Sequence, residues 1–159
     1  MEMMQPAMEP MPRQTPAEMR EAARPENQLN RLSKFVEYVE SSGNPNAISR
    51  IGASGLMGIL PKTALNPGYG VPRLEPAYIF DPQKNREFGE NYLKAMLNRY
   101  KGNPEHAIAA YNWGPGNTDR WVKKGANFAE LPPDTQAYIR GWRGEGKHRM
   151  PKDWKRYGE

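Results

Sequence analysis

The 159-residue chain contains no cysteine. Disulfides and thiolate metal sites are therefore excluded. Histidine is nearly as scarce. His106 and His148 stand far apart without ligand spacing, so no metal and no cofactor is expected. His106 falls at a helix start and reads as a surface or packing residue. No apolar run reaches the length of a membrane span. The Met-rich start is acidic and interrupted by proline, so no signal peptide is expected. Alternating apolar and polar residues never persist beyond about four positions, which argues against a sheet. Apolar residues make up only 37% of the chain, and mean hydropathy is -0.92.

Much of that apolar deficit sits at one end. Residues 1–26 hold six of the nine Met and five of the 16 Pro, with five Glu against three Arg. They lack a sustained apolar period and read as a flexible or partner-ordered tail, with room for a short helix near 16–24. Residues 140–159 carry seven Lys and Arg against three acids. A basic end suits polyanions or simple solubility. Trp142, Trp154 and Tyr157 interleave with its cations, so DNA contact through residues 140–159 is one reading, a minor one beside plain solubility. The resulting division is a Met/Pro-rich tail at 1–26, one domain at 27–142 and a basic tail at 143–159.

Within the domain the signals are helical. "ENQLNRLSKFVEYVESSG" spaces Leu29, Leu32, Phe35, Val36 and Val39 by three and four, with Pro25 before and Gly43 after. "DPQKNREFGENYLKAMLNRYKGN" opens with Asp81 and Pro82 as N-cap and N1 and should be the longest helix. "NPEHAIAAYNWG" repeats the device with Asn103 and Pro104. Asn117 or Thr118 is expected to cap a short helix through Trp121, and "LPPDTQAYIRGW" to begin another. The sum is an all-α domain of five to seven helices.

Glu40 stands out because no other acid follows until Glu75. At about 100° per residue, the five apolar side chains of the first long helix span about 120°. Glu40 falls about 20° past that arc and Glu37 about 80° past it, towards solvent. Glu40 thus sits at the rim between core and water, at the helix C-terminus. The helix dipole and a half-apolar setting both disfavour its charge. A carboxyl kept protonated can serve as a general acid; an ordinary solvated Glu is the plain alternative.

Three segments, in order, carry a resemblance. "VESSGNPNAISRIGASGLMGILPKTA", "AIAAYNWGPGNTDRW" and "LPPDTQAYIRG" resemble the motifs of lytic transglycosylases of the soluble-lytic (SLT) type. Together they cover roughly residues 28–142. "NPGYGVP" and "NREFGENYLKAML" look most like bacteriophage members. The resemblance implies a lysozyme-like all-α fold and cleavage of peptidoglycan. It makes Glu40 the catalytic acid and Ser41 its neighbour, holding the acid or a sugar where a helix cap is the alternative. It places Met57 along the sugar cleft, where core packing is the alternative. Tyr111 and Asn112 would face the acid across the cleft, and Tyr138 would come near Glu40. Gly58 departs from the pattern, since the family usually has Gln there, and only backbone remains.

A lone acid suffices where the substrate supplies the rest. Glycosidases ordinarily use two carboxylates. In a lytic transglycosylase the sugar's own C6 hydroxyl attacks C1, which an intramolecular geometry favours. Asp81, Asp119 or Asp134 folded back near Glu40 would instead indicate a hydrolytic lysozyme. The implied setting is a phage virion protein that opens the periplasmic cell wall during genome delivery and docks to virion proteins through residues 1–26. The alternatives are an endolysin and a structural virion protein that keeps the fold with weak catalysis.

Overall fold

The computed structural model describes residues 13–22 and 24–159. Residues 1–12 of the expected tail lie outside the described residues. Among the described residues seven α-helices follow one another: α1 (Pro16–Ala22), α2 (Pro25–Ser41), α3 (Pro61–Leu65), α4 (Pro82–Arg99), α5 (Pro104–Trp113), α6 (Pro115–Lys123) and α7 (Pro133–Trp142). Each begins with proline. Proline's fixed φ suits the first helical turn, where its missing N–H had no intrahelical partner to lose. The same residue that lowers helix propensity elsewhere here marks every start.

Side chains complete several of these starts. Asp81 accepts from Lys84 N at 2.9 Å, and Asn103 from Glu105 N at 3.0 Å. α4 is the longest helix, with 18 residues. α6 starts at Pro115, ahead of the expected cap. Asn117 and Thr118 lie inside it, bonded back to the carbonyls of Trp113 and Gly114. The Pro at N1 outweighed the polar residues as the start signal.

α5 is the hub. Ala107, Ile108, Ala109 and Ala110 are all buried, so this helix is apolar nearly all round. It packs against α4, α6 and α7, while α2 packs on α4. The core adds Leu32, Phe35 and Val36 from α2, Phe88, Leu93 and Met96 from α4, and Ile139 from α7. Between α2 and α3 the chain forms isolated bridges, Ile48 to Ser54 and Ser54 to Ile59. No described helix is long and apolar enough to cross a membrane.

Two expectations are corrected here. Glu37 does not face solvent; its side chain is fully buried. The C-terminal segment does not trail away as a separate tail; it folds back over α2. Arg156 donates to Glu37 Oε1 at 3.0 Å and to Ser33 Oγ at 2.8 Å. Tyr157 N donates to Glu37 Oε2 at 3.1 Å. Arg86 of α4 donates from Nε to Glu37 Oε1 at 2.8 Å and from Nη2 to the Tyr157 carbonyl at 2.8 Å. A helical wheel with one apolar arc assumes one buried face. α2 is covered on two, by the core and by residues 154–157. Trp154 also meets Tyr38 edge-on, and Trp142 meets Phe35. Two of the three aromatics that could have stacked on bases are thus engaged within the fold.

Candidate active site

The last turn of α2 brings Glu40 to a half-buried position. Burial pushes its carboxyl up to about 7, against the pull of a hydrogen bond from Tyr138. That bond runs from the Tyr138 hydroxyl on α7 to Glu40 Oε1 at 3.0 Å. Burial holds the Tyr138 hydroxyl well above its ordinary range, so it stays a neutral donor. The two residues are 98 positions apart.

Facing Glu40 is the turn that follows the Ser54 bridge. A Cβ built on Gly58 would overlap Glu40 Oε2 and stand 2.8 Å from Glu40 Cδ. The turn is clamped through the backbone of Met57. Asn85 Oδ1, fully buried on α4, accepts from Met57 N at 2.8 Å. Its Nδ2 donates to the carbonyls of Ser54 and Ile79 at 2.9 and 2.7 Å. The Tyr111 hydroxyl donates to the Met57 carbonyl at 2.5 Å. Gly89 of α4 leaves the space that the Met57 side chain fills.

These contacts decide how the sequence-derived candidates stand. Glu40, Tyr111 and Tyr138 come together: burial and then the Glu40 charge raise the Tyr111 hydroxyl. The hydroxyl that touches Glu40 is that of Tyr138; that of Tyr111 is committed to Met57. The Met57 side chain is fully buried and belongs to the core, because Gly89 opens a slot for it. Ser41 Oγ donates to the Glu37 carbonyl at 3.1 Å and accepts from Gly43 N at 3.1 Å, so it closes the helix end. Asn112 is exposed, and its Oδ1 accepts from Thr135 at 2.7 Å. Its amide N–H is the group it can offer to a ligand.

A cleft of about 260 Å³ opens beside Gly58, lined by Ile59, Thr63, Tyr92, Tyr111, Asn112 and Trp113 among others. The walls are largely aromatic and apolar with a few polar edges, the usual make-up of a ligand-binding cleft. Of the three aspartates considered as second carboxylates, Asp81 caps α4. Asp119 is paired with Arg99 and accepts from Tyr100 at 2.8 Å. Asp134 is exposed in the first turn of α7.

Asn85, Thr135 and Gly89 were not singled out from sequence. Each acts across the fold, on backbone or side chains distant along the chain, and no local motif marks such a role.

A family model described as "Transglycosylase SLT domain" matches residues 18–131. The soluble lytic murein transglycosylase of Escherichia coli K12 is 34% identical over 116 residues, 64% of this chain and 17% of that protein. The membrane-bound lytic murein transglycosylase C of Edwardsiella ictaluri is 38% identical over 98 residues, 54% of this chain and 27% of that one. The crystal structure of the 70 kDa soluble lytic transglycosylase of Escherichia coli matches with TM-score 0.56 and 28% identity, over 80% of this chain and 24% of that one. Its complex with bulgecin A gives 0.58 and 27% over the same shares. The chain spans about a sixth of the length of the soluble murein transglycosylases it matches. The all-helical, lysozyme-like arrangement agrees with these relatives, and the chain belongs to the transglycosylase SLT domain family.

Proposed function

We propose that this domain cleaves the glycan strands of peptidoglycan by lytic transglycosylation. The bond broken is the β-1,4 link between N-acetylmuramic acid and N-acetylglucosamine. The observation that carries the reading is Glu40, a carboxyl held near pH 7 by burial and oriented by Tyr138 next to an aromatic cleft. The family supplies the substrate class, since the relatives are named murein transglycosylases.

In this reading Glu40 gives its proton to the glycosidic oxygen as the C1–O bond breaks. The substrate's 2-acetamido oxygen stabilises the charge at C1. The C6 hydroxyl then attacks C1 and returns its proton to Glu40, closing a 1,6-anhydro ring. One group serves as acid and then as base, so no second carboxylate is required. Mass spectrometry of an unreduced murein digest tests this. Anhydro-muropeptides, about 18 Da below the hydrated form because no water is added, are the expected products. Dominance of the hydrated form would replace this reading with hydrolysis, with Asp134 the carboxylate to test first.

The finer setting is a phage virion protein acting on the wall during genome delivery. Its support is the likeness of "NPGYGVP" and "NREFGENYLKAML" to phage members and the Met/Pro-rich stretch at 1–26. An endolysin has the same chemistry. Probing purified particles for the protein separates the two.

A further inference from the structure

We propose that Tyr69 is a sugar-stacking residue: the loop "NPGYGVP" stands it at the far edge of the cleft, where one face of its ring receives a pyranose of the glycan strand away from the bond that is cut. This rests on the reading of the cleft as a glycan site and deepens it with a further substrate contact.

The backbone at Tyr69 is strained. Val71 N donates to the Gly68 carbonyl at 3.0 Å, closing a turn with Tyr69 and Gly70 at its centre. Their φ values are +55° and +74°. A turn with both central residues in the left-handed region favours Asn, Asp or Gly at those places. Gly70 suits its place. Tyr69 does not, since for a bulky side chain this conformation is an outlier. Nor does burial hold it there, because Tyr69 is 46% exposed. Strain kept at an exposed aromatic points to a side chain held for what it presents to a ligand.

Its position is set from α4. The Arg99 guanidinium lies over the Tyr69 ring, 5.1 Å from the centroid. That guanidinium is itself fixed, since Nε donates to Asp119 Oδ1 at 3.0 Å, and Asp119 also accepts from the Tyr100 hydroxyl. The same hydroxyl stands 3.3 Å from the Pro115 carbonyl oxygen. Tyr92 lies two turns before Arg99 on the same stripe of α4. Tyr92 and Pro115 both line the cleft, as does Thr63 of α3, the helix from which the loop departs. The Tyr92 hydroxyl is raised by burial and then by Tyr69 beside it. Tyr69 thus stands where the cleft, leaving Gly58, runs out past Tyr92 and Pro115.

The chemistry follows from the ring's two faces. Arg99 takes one by a cation–π contact and leaves the other for a ligand. A pyranose presents a face of C–H groups, apolar enough to lie on an aromatic ring while its hydroxyls keep their water. A sugar held there touches none of the reacting atoms. It therefore contributes equally to binding the substrate and the transition state.

The experiment compares Tyr69→Asn and Tyr69→Phe with wild type in the full chain. Asn fits the turn and removes the ring. Phe keeps the ring and removes only the hydroxyl. The binding probe is the β-1,4 hexamer of N-acetylglucosamine, which shares the linkage and ring form of murein and needs no cleavage. In its complex with wild type, nuclear Overhauser contacts are expected between the Tyr69 ring protons and sugar C–H protons. Tyr69→Asn should weaken hexamer binding about fivefold, on the scale of one aromatic stacking contact. On purified murein it should raise KM by a similar factor with kcat unchanged. Tyr69→Phe should match wild type in both. Tm of Tyr69→Asn should stay near wild type, because relief in the turn offsets the lost contact with Arg99.

Equal hexamer affinity in wild type and Tyr69→Asn overturns the proposal. So does a loss in Tyr69→Phe as large as in Tyr69→Asn, or absence of sugar contacts at the Tyr69 ring. A marked fall in Tm for Tyr69→Asn makes the ring a structural pin and overturns it as well. A wild type that binds the hexamer through Tyr69 but leaves murein uncut removes the transglycosylase reading and leaves the stacking site standing.

Discussion

At the residue scale, the site depends on where one proton resides. Glu40 is raised from 4.5 to about 7 because burial penalises its charged form more than the Tyr138 hydrogen bond supports it. A general acid must be protonated at the start of the cycle, so activity should fall as pH rises through about 7. Tyr138→Phe removes the contribution that lowers the value, so the descending limb should move to higher pH while the maximal rate drops. The same shift has a consequence for stability. A carboxyl whose folded value lies above its unfolded one stabilises the fold below about 4.5 and loses that contribution as pH rises through about 7. At about 1.4 kcal/mol per pH unit, ionising Glu40 in the fold costs about 3 kcal/mol. Glu40→Gln should therefore lower murein cleavage by about 10²–10⁴-fold and raise Tm at pH 8 but not at pH 4. pH–rate profiles and thermal unfolding across that range check both effects. Retention of most of the activity by Glu40→Gln would remove the residue from the mechanism.

At the scale of elements, α2 works through two of its acids in opposite ways. Glu40 is half-buried with no cationic partner among the described residues, and Glu37, one turn earlier, is fully buried between Arg86 and Arg156. Their helical-wheel positions differ by about 60°, and the sequence placed Glu37 in solvent. Its true setting depends on Arg156, which is 119 positions away. Glu37→Gln keeps the shape but leaves two guanidiniums around a neutral amide. Breaking one side of a buried ion pair costs about 3 kcal/mol or more, which for a domain of this size is a Tm drop of roughly 10 °C. Denaturation curves should show this loss, and a neutral effect would mean that the cluster is solvated in solution. The helix starts were far more legible. Pro82 and Pro104 with their Asp and Asn caps appear where the sequence put them, because capping is a local interaction.

At the scale of the whole molecule, the last residues act as a strap. Trp154 packs on Tyr38, Arg156 and the Tyr157 N–H hold Glu37, and the Tyr157 carbonyl accepts from Arg86. Removing residues 150–159 should lower Tm at least as much as Glu37→Gln does. Combining the two changes should add little, since both act on one network. Equal Tm for the truncated and full chains would return these residues to the status of a free basic tail. The strap also holds something composition does not reveal: one cation of the positive end, Arg156, is used internally, and its side chain is 10% exposed.

The amino-acid sequence by itself determined what short-range physics controls. Proline and its flanking caps set helix starts, apolar spacing set the α2 core face, and the ordered motifs identified the family and pointed to Glu40 as the candidate acid. The tertiary structure alone decided which groups meet across the chain. It put the Tyr138 hydroxyl on Glu40, withdrew the Met57 side chain into the core and spent the Ser41 hydroxyl on a helix end. It also brought Asn85 under the turn that presents Gly58, and the C-terminal strap over Glu37. The reason is physical. Local preferences act over one or two helical turns. Burial, and with it the protonation of Glu40, is set by whatever surfaces the completed fold presses against it.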